Sequence, residues 1–272
     1  MSESSLLGVP EFTRYAPPAG RFIRTAQLGT TREWVEPFMD QIAPYLATAR
    51  QQSNYLPIGI NVTVGLAPEE DLLVGNPLVG LLEPLAIAFS LPQLRYVGGT
   101  KVHGDESTLC IGPVGASKDG LHHWRAARGR CTDVSVKAQR EFGHQIATQI
   151  PPSRWGPGHL DLSIRTGLMR DWIVTWRPLV DALVTVLGRR REPGRREFDV
   201  EDGRVVSLAL HHDVDPLLGN AIDVDVRRPR RRPAAGLRRP RHAARVTPRR
   251  GTGQVPASCG VQRNPAFRWL RR

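Results

Sequence analysis

Acidic side chains lie near the ends of several elements that the sequence predicts in its second half. Asp171 precedes a helical run, and the pair Glu201 and Asp202 precedes an apolar strand. Carboxylate oxygens are the ligands that Mg²⁺ prefers, and magnesium-dependent phosphodiester hydrolysis needs several of them at one site. Arg177, inside the helical run, has the charge to contact a phosphate group. The structural alternative is that Asp171 caps the helix, Arg177 is solvated and the acidic pair forms a turn.

Two kinds of hydrophobic pattern position these side chains. Residues 160–165 alternate apolar and polar, which predicts a strand with one buried face. Between Asp171 and Gly188 the apolar residues recur at helical spacing, which predicts a helix that ends in a glycine C-cap. Pro178 lies inside this run and predicts a kink or a later helix start. Residues 205–210 alternate again, so a second strand follows the acidic pair.

The segment from Lys137 to Leu210 resembles the RusA-type Holliday junction resolvases, a family of small magnesium-dependent endonucleases. In that family a helix and a strand precede an Asp-x-Asp-Asn-x-x-Lys run that leads into Asp-Ala-Leu. An Asp-Asp pair later precedes an apolar strand. Here Asp171 matches the first aspartate of the run, Arg177 the lysine, residues 181–183 the Asp-Ala-Leu, and Glu201 and Asp202 the acidic pair.

The resemblance implies a Mg²⁺ site with Asp171, Glu201 and Asp202 as ligands, and catalytic roles for Asp171, Arg177 and Asp202. It also implies branched or duplex DNA as the substrate and a homodimer, since the resolution of a four-way junction requires two symmetric cuts. Two positions depart from the family run, because Ile173 replaces the second aspartate and Val174 the asparagine. The alternatives are a relative that binds nucleic acid without cleaving it, and an α+β protein of another function.

The order of elements predicts an α+β fold with a mixed sheet and packed helices. A helix, a strand, an acidic turn and an apolar helix occur in the first half and again about a hundred residues later. In this alignment residues 34–46 correspond to 138–150, residues 60–64 to 160–164, and Glu83 to Asp181. One hypothesis is two diverged RusA-like units. The other is a chance similarity of the kind that any α+β chain can show.

Residues 116–131 are polar and contain glycine, which predicts a domain boundary or an exposed linker. We therefore assign residues 1–125 to an N-terminal α+β region and 126–226 to the RusA-like domain. The remaining residues, 227–272, contain fifteen arginines and no Lys, Asp or Glu, and they are predicted to be disordered. They are either an arm that binds nucleic acid or a GC-rich stretch that is translated out of frame.

The net charge of the chain without this tail argues against a DNA-binding body. Subtracting its fifteen positive charges from the formal +12 leaves −3 on residues 1–226. DNA-binding domains are usually basic, because contacts to phosphates supply much of their affinity. The predicted body of the protein therefore lacks the basic character that is typical of a nuclease.

Other features of the sequence exclude several classes of protein. No apolar run reaches the ~20 residues of a membrane span, and the first residues do not have the pattern of a signal peptide, so we predict a cytoplasmic location without a membrane partner. The three cysteines lack CxxC spacing, which argues against a disulfide framework or a thiolate zinc site. The pairs His122–His123 and His211–His212 are interpreted as surface residues whose side chains point to opposite faces.

Overall fold

A computed structural model describes residues 12–18, 21–26, 32–52, 56–75, 77–117, 124–150, 158–188, 200 and 202–229. Their elements, in chain order, are β1 (Arg21–Ala26), α1 (Arg32–Gln52), β2 (Ile58–Leu66), α2 (Leu78–Ala88), β3 (Leu94–His103), β4 (Glu106–Pro113), β5 (Trp124–Cys131), α3 (Val136–Gln149), β6 (Gly158–Thr166), α4 (Ile173–Ala182), α5 (Val184–Leu187), β7 (Val205–Val214) and β8 (Ile222–Pro229). The pair His122–His123, Glu201 and residues 230–272 lie outside this description. None of the described helices is both long and apolar enough to cross a membrane.

The strands form one mixed sheet of eight in the order β1-β4-β2-β3-β7-β6-β8-β5. Two pairs are parallel, β2 with β3 and β6 with β7, and the remaining neighbours are antiparallel. The predicted α+β class with a mixed sheet and packed helices is therefore confirmed.

The two halves of the sheet repeat one topology. Each half runs strand, helix, strand, helix, strand, strand, and the halves meet where β3 and β7 pair antiparallel. The first parallel pair shifts register between Ile58 and Gly59, and the second shifts between Gly158 and His159, one hundred residues later. The described residues all belong to one compact unit. The predicted boundary near residue 125 thus separates two halves of one sheet.

One hydrophobic core joins the helices to one face of this sheet. The core contains the alternating residues Leu160, Leu162 and Ile164 of β6 and apolar residues from α1 to α4. Helices lie so close to this face that a Cβ added at Gly129 in β5 would lie 2.6 Å from the Phe142 ring of α3. The opposite face of the sheet carries the intervening polar residues and no described helix packs on it.

The structure has a helix end at the predicted glycine, but a proline inside α1 does not interrupt that helix. The predicted helical run is divided into α4 and α5 at Leu183, and α5 ends with Gly188 as its C-cap, at a φ of 102°. Pro44 lies inside α1, and the helix nevertheless continues through it to Gln52. Proline removes one backbone donor. The burial of Phe38, Ile42 and Leu46 on the same helix offsets that loss.

The segment predicted as a linker, residues 116–131, is wrong in its second part, because it contains the edge strand β5. Large apolar residues do not alternate there, since the buried positions Ala127 and Gly129 must be small beneath α3. Two side chains of α3 close the free edge. Gln145 and Gln149 each donate to and accept from the backbone of one β5 residue, so the edge has no open hydrogen-bonding groups at those positions.

The predicted start of the tail is also corrected. β8 continues beyond Val226 to Pro229, and Arg227 pairs with Asp161 of β6 in the sheet register. The Arg227 side chain is only 4% exposed and forms an ion pair with Asp225. The first arginines of the supposed tail therefore belong to the folded unit.

Candidate functional site

Asp171 lies in the turn between β6 and α4 and caps that helix. Its Oδ1 accepts a hydrogen bond from the backbone N–H of Ile173 at 2.9 Å, and its carbonyl accepts from the Thr175 hydroxyl at 2.7 Å. Ile173, at the family's second aspartate position, is buried in the core, whereas Val174, at the asparagine position, is 60% exposed. The capping role that the sequence offered as an alternative is thus the one that the side chain performs.

Arg177, the expected phosphate contact, lies between carboxylates of both halves. Its guanidinium forms an ion pair with Glu83 of α2, and its Nε lies 4.0 Å from Asp181 one turn along α4. The side chain is 46% exposed, so these contacts are partly screened by water. They hold Arg177 against α2 and offset its charge.

Asp202 begins a short 3-10 helix, Asp202–Arg204, immediately before β7. Because β6 and β7 are parallel, the start of β7 and the end of β6 lie at opposite ends of the sheet. The nine residues of β6 span about 30 Å at the usual rise of a strand. The structure therefore does not bring Asp171 and Asp202 together, and the two residues do not fit one shared Mg²⁺. The side chain of Asp202 is outside the described part.

The start of β7 instead lies against a loop of the first half. The Lys101 ammonium, at the end of β3, donates to the Gly203 carbonyl at 2.5 Å. A Cβ added at Gly203 would lie 3.0 Å from the Gly75 carbonyl oxygen. This loop, residues 67–75, carries Glu69, Glu70 and Asp71, all exposed. The start of β7 lies near this loop because β3 and β7 pair antiparallel, which brings the start of β7 to the ends of β2 and β3.

Asp71 is the counterpart of Asp171 in the first half. The Asp71 Oδ1 accepts a hydrogen bond from the Leu73 N–H at 2.8 Å, as the Asp171 Oδ1 does from the residue two positions on. Each half thus contributes an aspartate turn after its first parallel strand. We define the acidic end as residues 67–75 together with Asp202–Arg204.

The opposite end of the sheet is built from different residues. There Trp172 stacks on His212 with ring centroids 4.8 Å apart, and Arg95, near the start of β3, contacts the His212 Nδ1 at 3.2 Å. β3 corresponds to β7 in the repeat, and Gln93 directly precedes β3 where Asp202–Arg204 directly precede β7. This end carries Asp171 and also Asp215, whose N–H donates to the Thr166 carbonyl at 2.9 Å. The acidic end carries Glu69, Glu70 and Asp71 of the first half, and Asp202 precedes β7 beside them.

The acidic end has donor groups of the type that bind a hard cation, although the described residues do not form a metal site. Among the described residues, no group of three or more His, Cys, Asp or Glu side chains is close enough to hold a metal ion. The donors that the acidic end does offer are carboxylates and carbonyls, which are Mg²⁺ ligands by type. The described carboxylates there belong to Glu69, Glu70 and Asp71, and Asp202 is the acidic residue that precedes β7.

A buried polar cluster on the helix-free face is the feature that sequence reasoning missed. His211 and Asp161 are 2% and 3% exposed, and the His211 Nε2 lies 3.4 Å from the Asp161 Oδ2. Residues 12–18 cross this face and cover the cluster, and Arg14 forms an ion pair with Asp161. The interpretation of His211 and His212 as surface residues is wrong, although their side chains do point to opposite faces. The available signal was the polar alternation of β6 and β7.

Electrostatics keeps Asp161 ionised. Burial alone raises its pKa, but the contacts with His211 and Arg14 outweigh burial and hold the pKa below its ordinary range. Tyr96, whose ring lies 5.3 Å from that of His211, has a raised pKa because of burial and the nearby Asp161 charge. Asp161 is thus an ionised carboxylate in contact with His211 and Arg14, with the protonated Tyr96 phenol nearby.

His212 gives the protein a predictable dependence on acid. Burial, followed by the positive charge of Arg95, lowers the pKa of His212 to about 3. The ordinary value of about 6.5 applies to the unfolded chain, which therefore takes up the proton first as the pH falls. The stability that the protein gains by keeping His212 neutral is complete above pH 6.5 and is lost progressively between pH 6.5 and 3. At pH 5 it amounts to a loss of about 2 kcal/mol.

The measurement is urea unfolding of the wild type and of His212→Asn at pH 8 and pH 5. We expect the wild type to lose about 2 kcal/mol more between the two pH values than the variant does, since asparagine does not titrate. Equal losses in both proteins would show that His212 is not held neutral in the folded state.

Comparisons with known proteins do not identify a family. No family model matches the chain, and no curated protein matches it. Among solved structures, the chain is similar to the cyanuric acid hydrolase from A. caulinodans, with 13% identity over 77% of this chain and 67% of the hydrolase. The TM-score of that match is 0.20, which is too low to carry an argument about fold or function. The fold itself defines the class: an α+β protein with a duplicated topology in one mixed sheet.

Proposed function

We propose that this protein is a RusA-like binder of branched DNA, with magnesium-dependent cleavage at the acidic end. The observation that carries the proposal is the duplicated topology, in which two halves meet about an approximate twofold axis between β3 and β7. A four-way junction has twofold symmetry, and a homodimeric resolvase would meet it with two equal subunits. In this chain the two halves would take the places of the two subunits.

The order of elements within each half supports the same proposal. Each half has a helix, a strand, an aspartate turn, a second helix and an apolar strand, which is the order of the family to which the second half is similar. The aspartate turns at Asp71 and Asp171 have the same side-chain hydrogen bond in the two halves. This likeness extends the resemblance from the second half to the first.

The halves are not equivalent in their chemistry, and this difference shapes the expected activity. At the acidic end, Asp71 and Asp202 would hold Mg²⁺, which polarises a phosphate oxygen and activates water for attack. Lys101 holds the Gly203 carbonyl and so fixes the segment that carries Asp202. At the other end Asp171 has no acidic partner before β3, and Arg177 is paired with Glu83. We therefore expect one nick per bound junction rather than two symmetric cuts.

The charge distribution assigns separate roles to the body and the arginine-rich segment. Residues 1–226 carry a formal charge of −3, so attraction to phosphates would come from the arginine-rich segment beyond β8. The proposal keeps the cytoplasmic location that the sequence predicts.

The test is incubation of the full chain with a synthetic four-way DNA junction, with and without Mg²⁺. We expect nicking that Asp71→Asn and Asp202→Asn each reduce at least about a hundredfold, since removal of a metal-binding carboxylate removes the activated water. Asn retains the acceptor oxygen at position 71, so the turn should persist. Asp171→Asn is the matched control and should leave nicking unchanged.

Two other outcomes would change the conclusion. Tight binding of the junction over linear duplex without any nicking would favour the non-catalytic alternative, which the capping role of Asp171 and the burial of Ile173 also suit. Equal binding of junction and duplex, or no binding, would reject the proposal.

A further inference from the structure

A short extended segment of the chain is bound by side chains of the sheet as a peptide ligand would be. This segment, residues 12–18, is called the strap. The Thr13 N–H donates to the Asp213 Oδ2 at 3.0 Å, and the Tyr15 N–H donates to the His211 Nδ1 at 2.9 Å. His211 and Asp213 are alternate residues of β7 on the same face of the sheet. Alternate backbone groups of the strap are therefore recognised by alternate side chains of one strand.

Two side chains of the strap are recognised as well. The Arg14 guanidinium forms an ion pair with Asp161 of β6, whose side chain is 4% exposed. The Tyr15 hydroxyl donates to the Asp213 Oδ1 at 2.8 Å, and the Tyr15 ring stacks on His211 with centroids 6.4 Å apart. The site thus reads an arginine followed by an aromatic residue.

The other edge of the strap pairs with backbone. The Ala16 N–H donates to the Gly115 carbonyl at 3.0 Å, and the Ser117 N–H donates to the Arg14 carbonyl at 2.7 Å. Residues 115–117 therefore act as a neighbouring strand for the strap. An extended segment held between a backbone edge and side-chain contacts is the geometry of peptide recognition by strand addition.

The strap does not use the full hydrogen-bonding capacity of the site. The Asp161 Oδ1 and the Ser163 Oγ are buried and have no hydrogen-bond partner among the described residues. Ser163 is 1% exposed and lies on β6 two residues beyond Asp161, on the same face. Buried polar atoms are normally satisfied, and a carboxylate can accept a bidentate pair from one guanidinium. An arginine seated more squarely than Arg14 would engage both oxygens of Asp161.

We propose that Asp161, His211 and Asp213 form a recognition site for an extended arginine–aromatic peptide of another protein, which the strap occupies in cis. The two carboxylates complement the positive charge of such a peptide. Since the strap is tethered, its effective concentration at the site is high, and it would compete with the peptide of a partner. The strap therefore regulates access to the site.

The experiment uses the full chain and a fluorescent synthetic peptide with the sequence of residues 10–18, Pro-Glu-Phe-Thr-Arg-Tyr-Ala-Pro-Pro. Arg14→Ala removes the competing guanidinium without changing the site. We expect this variant to bind the peptide about tenfold or more tightly than the wild type, since the cis competitor is weakened. Thr13→Pro removes the N–H that donates to Asp213 and should also tighten peptide binding. It provides an independent test of the proposal if Arg14→Ala does not fold.

Two controls test the chemistry of recognition. A peptide with lysine in place of its arginine should bind about fivefold or more weakly, because lysine lacks the planar guanidinium that pairs with Asp161. The double variant Arg14→Ala with Asp161→Asn should lose the gain in binding. Equal peptide binding by the wild type and both strap variants, or no binding by any of them, would overturn the proposal.

A separate measurement distinguishes the occupant. Sedimentation of the wild type over a range of concentrations should give a monomer. Concentration-dependent dimers that Asp161→Asn abolishes would assign the site to the strap of a second copy and overturn its assignment to a different protein.

Discussion

Replacement of Asp225 by alanine is expected to lower the free energy of unfolding by about 3–5 kcal/mol. Asp225 is fully buried on the helix-free face, where it forms an ion pair with Arg227 and another with the Arg128 Nε at 3.3 Å. Arg227 is 4% exposed, so removal of Asp225 leaves a buried guanidinium without its carboxylate. The loss of compensation, rather than the strength of the pair, is the cause of the large effect.

Urea unfolding of the variant would measure this effect, and the neighbouring pair provides a matched control. Asp223, two residues earlier on the same face, pairs with the Arg130 Nε at 2.5 Å, but the Arg130 side chain is 63% exposed. Asp223→Ala should cost only about 0–1 kcal/mol. The double variant Asp225→Ala with Arg227→Met should recover much of the lost stability. Similar costs at positions 223 and 225 would contradict the assignment of a buried charge network.

Replacement of Trp176 by alanine has the second large expected effect, a loss of about 3–5 kcal/mol. Trp176 lies on α4, is completely buried and is the largest of the fully buried side chains. Truncation to alanine both removes apolar contacts and leaves a cavity in the shared core. The effect should be measurable as a lower midpoint of urea unfolding with an unchanged slope.

Phenylalanine at position 176 distinguishes packing from polarity. The Trp176 Nε1 is buried and has no hydrogen-bond partner among the described residues. Phenylalanine removes that unsatisfied N–H, which offsets part of the lost volume, so we expect a cost below about 1.5 kcal/mol. Val174→Ala, on the exposed side of the same helix, should change stability by less than about 0.5 kcal/mol. A cost for Trp176→Phe as large as that for alanine would contradict this account.

The burial of the charged residues on the helix-free face cannot be predicted from the pattern of a single strand. In β6 the residues Asp161, Ser163 and Arg165 alternate with apolar ones, which is typical of a solvated strand face. They are buried because β8, β7 and the strap supply counter-charges and cover. Arg227 was assigned to a disordered tail for the same reason, since its burial depends on the pairing of β8 with β5 and β6, strands far away in the sequence.

The sequence by itself determined much of the local structure, and it offered the repeat as one of two hypotheses. Alternating and helical periods gave β2, β6, β7, α3 and α4, and Gly188 marked the end of the last helix, because these signals depend on neighbours within about ten residues. The correspondence between residues 60–64 and 160–164 was correct in its alignment, as the matching register shifts one hundred residues apart confirm. The capping alternative for Asp171 was also available from local chemistry.

Only the tertiary structure decided which of the acidic residues share a neighbourhood. Asp171 and Asp202 lie at opposite ends of the parallel pair β6–β7, separated by the length of β6. Asp202 lies instead near the loop of the first half, because β3 and β7 pair antiparallel. Strand order is set by the burial of a common core over more than a hundred residues, and no local pattern encodes it. The same long-range pairing placed His211 beneath the strap, where a surface histidine was expected.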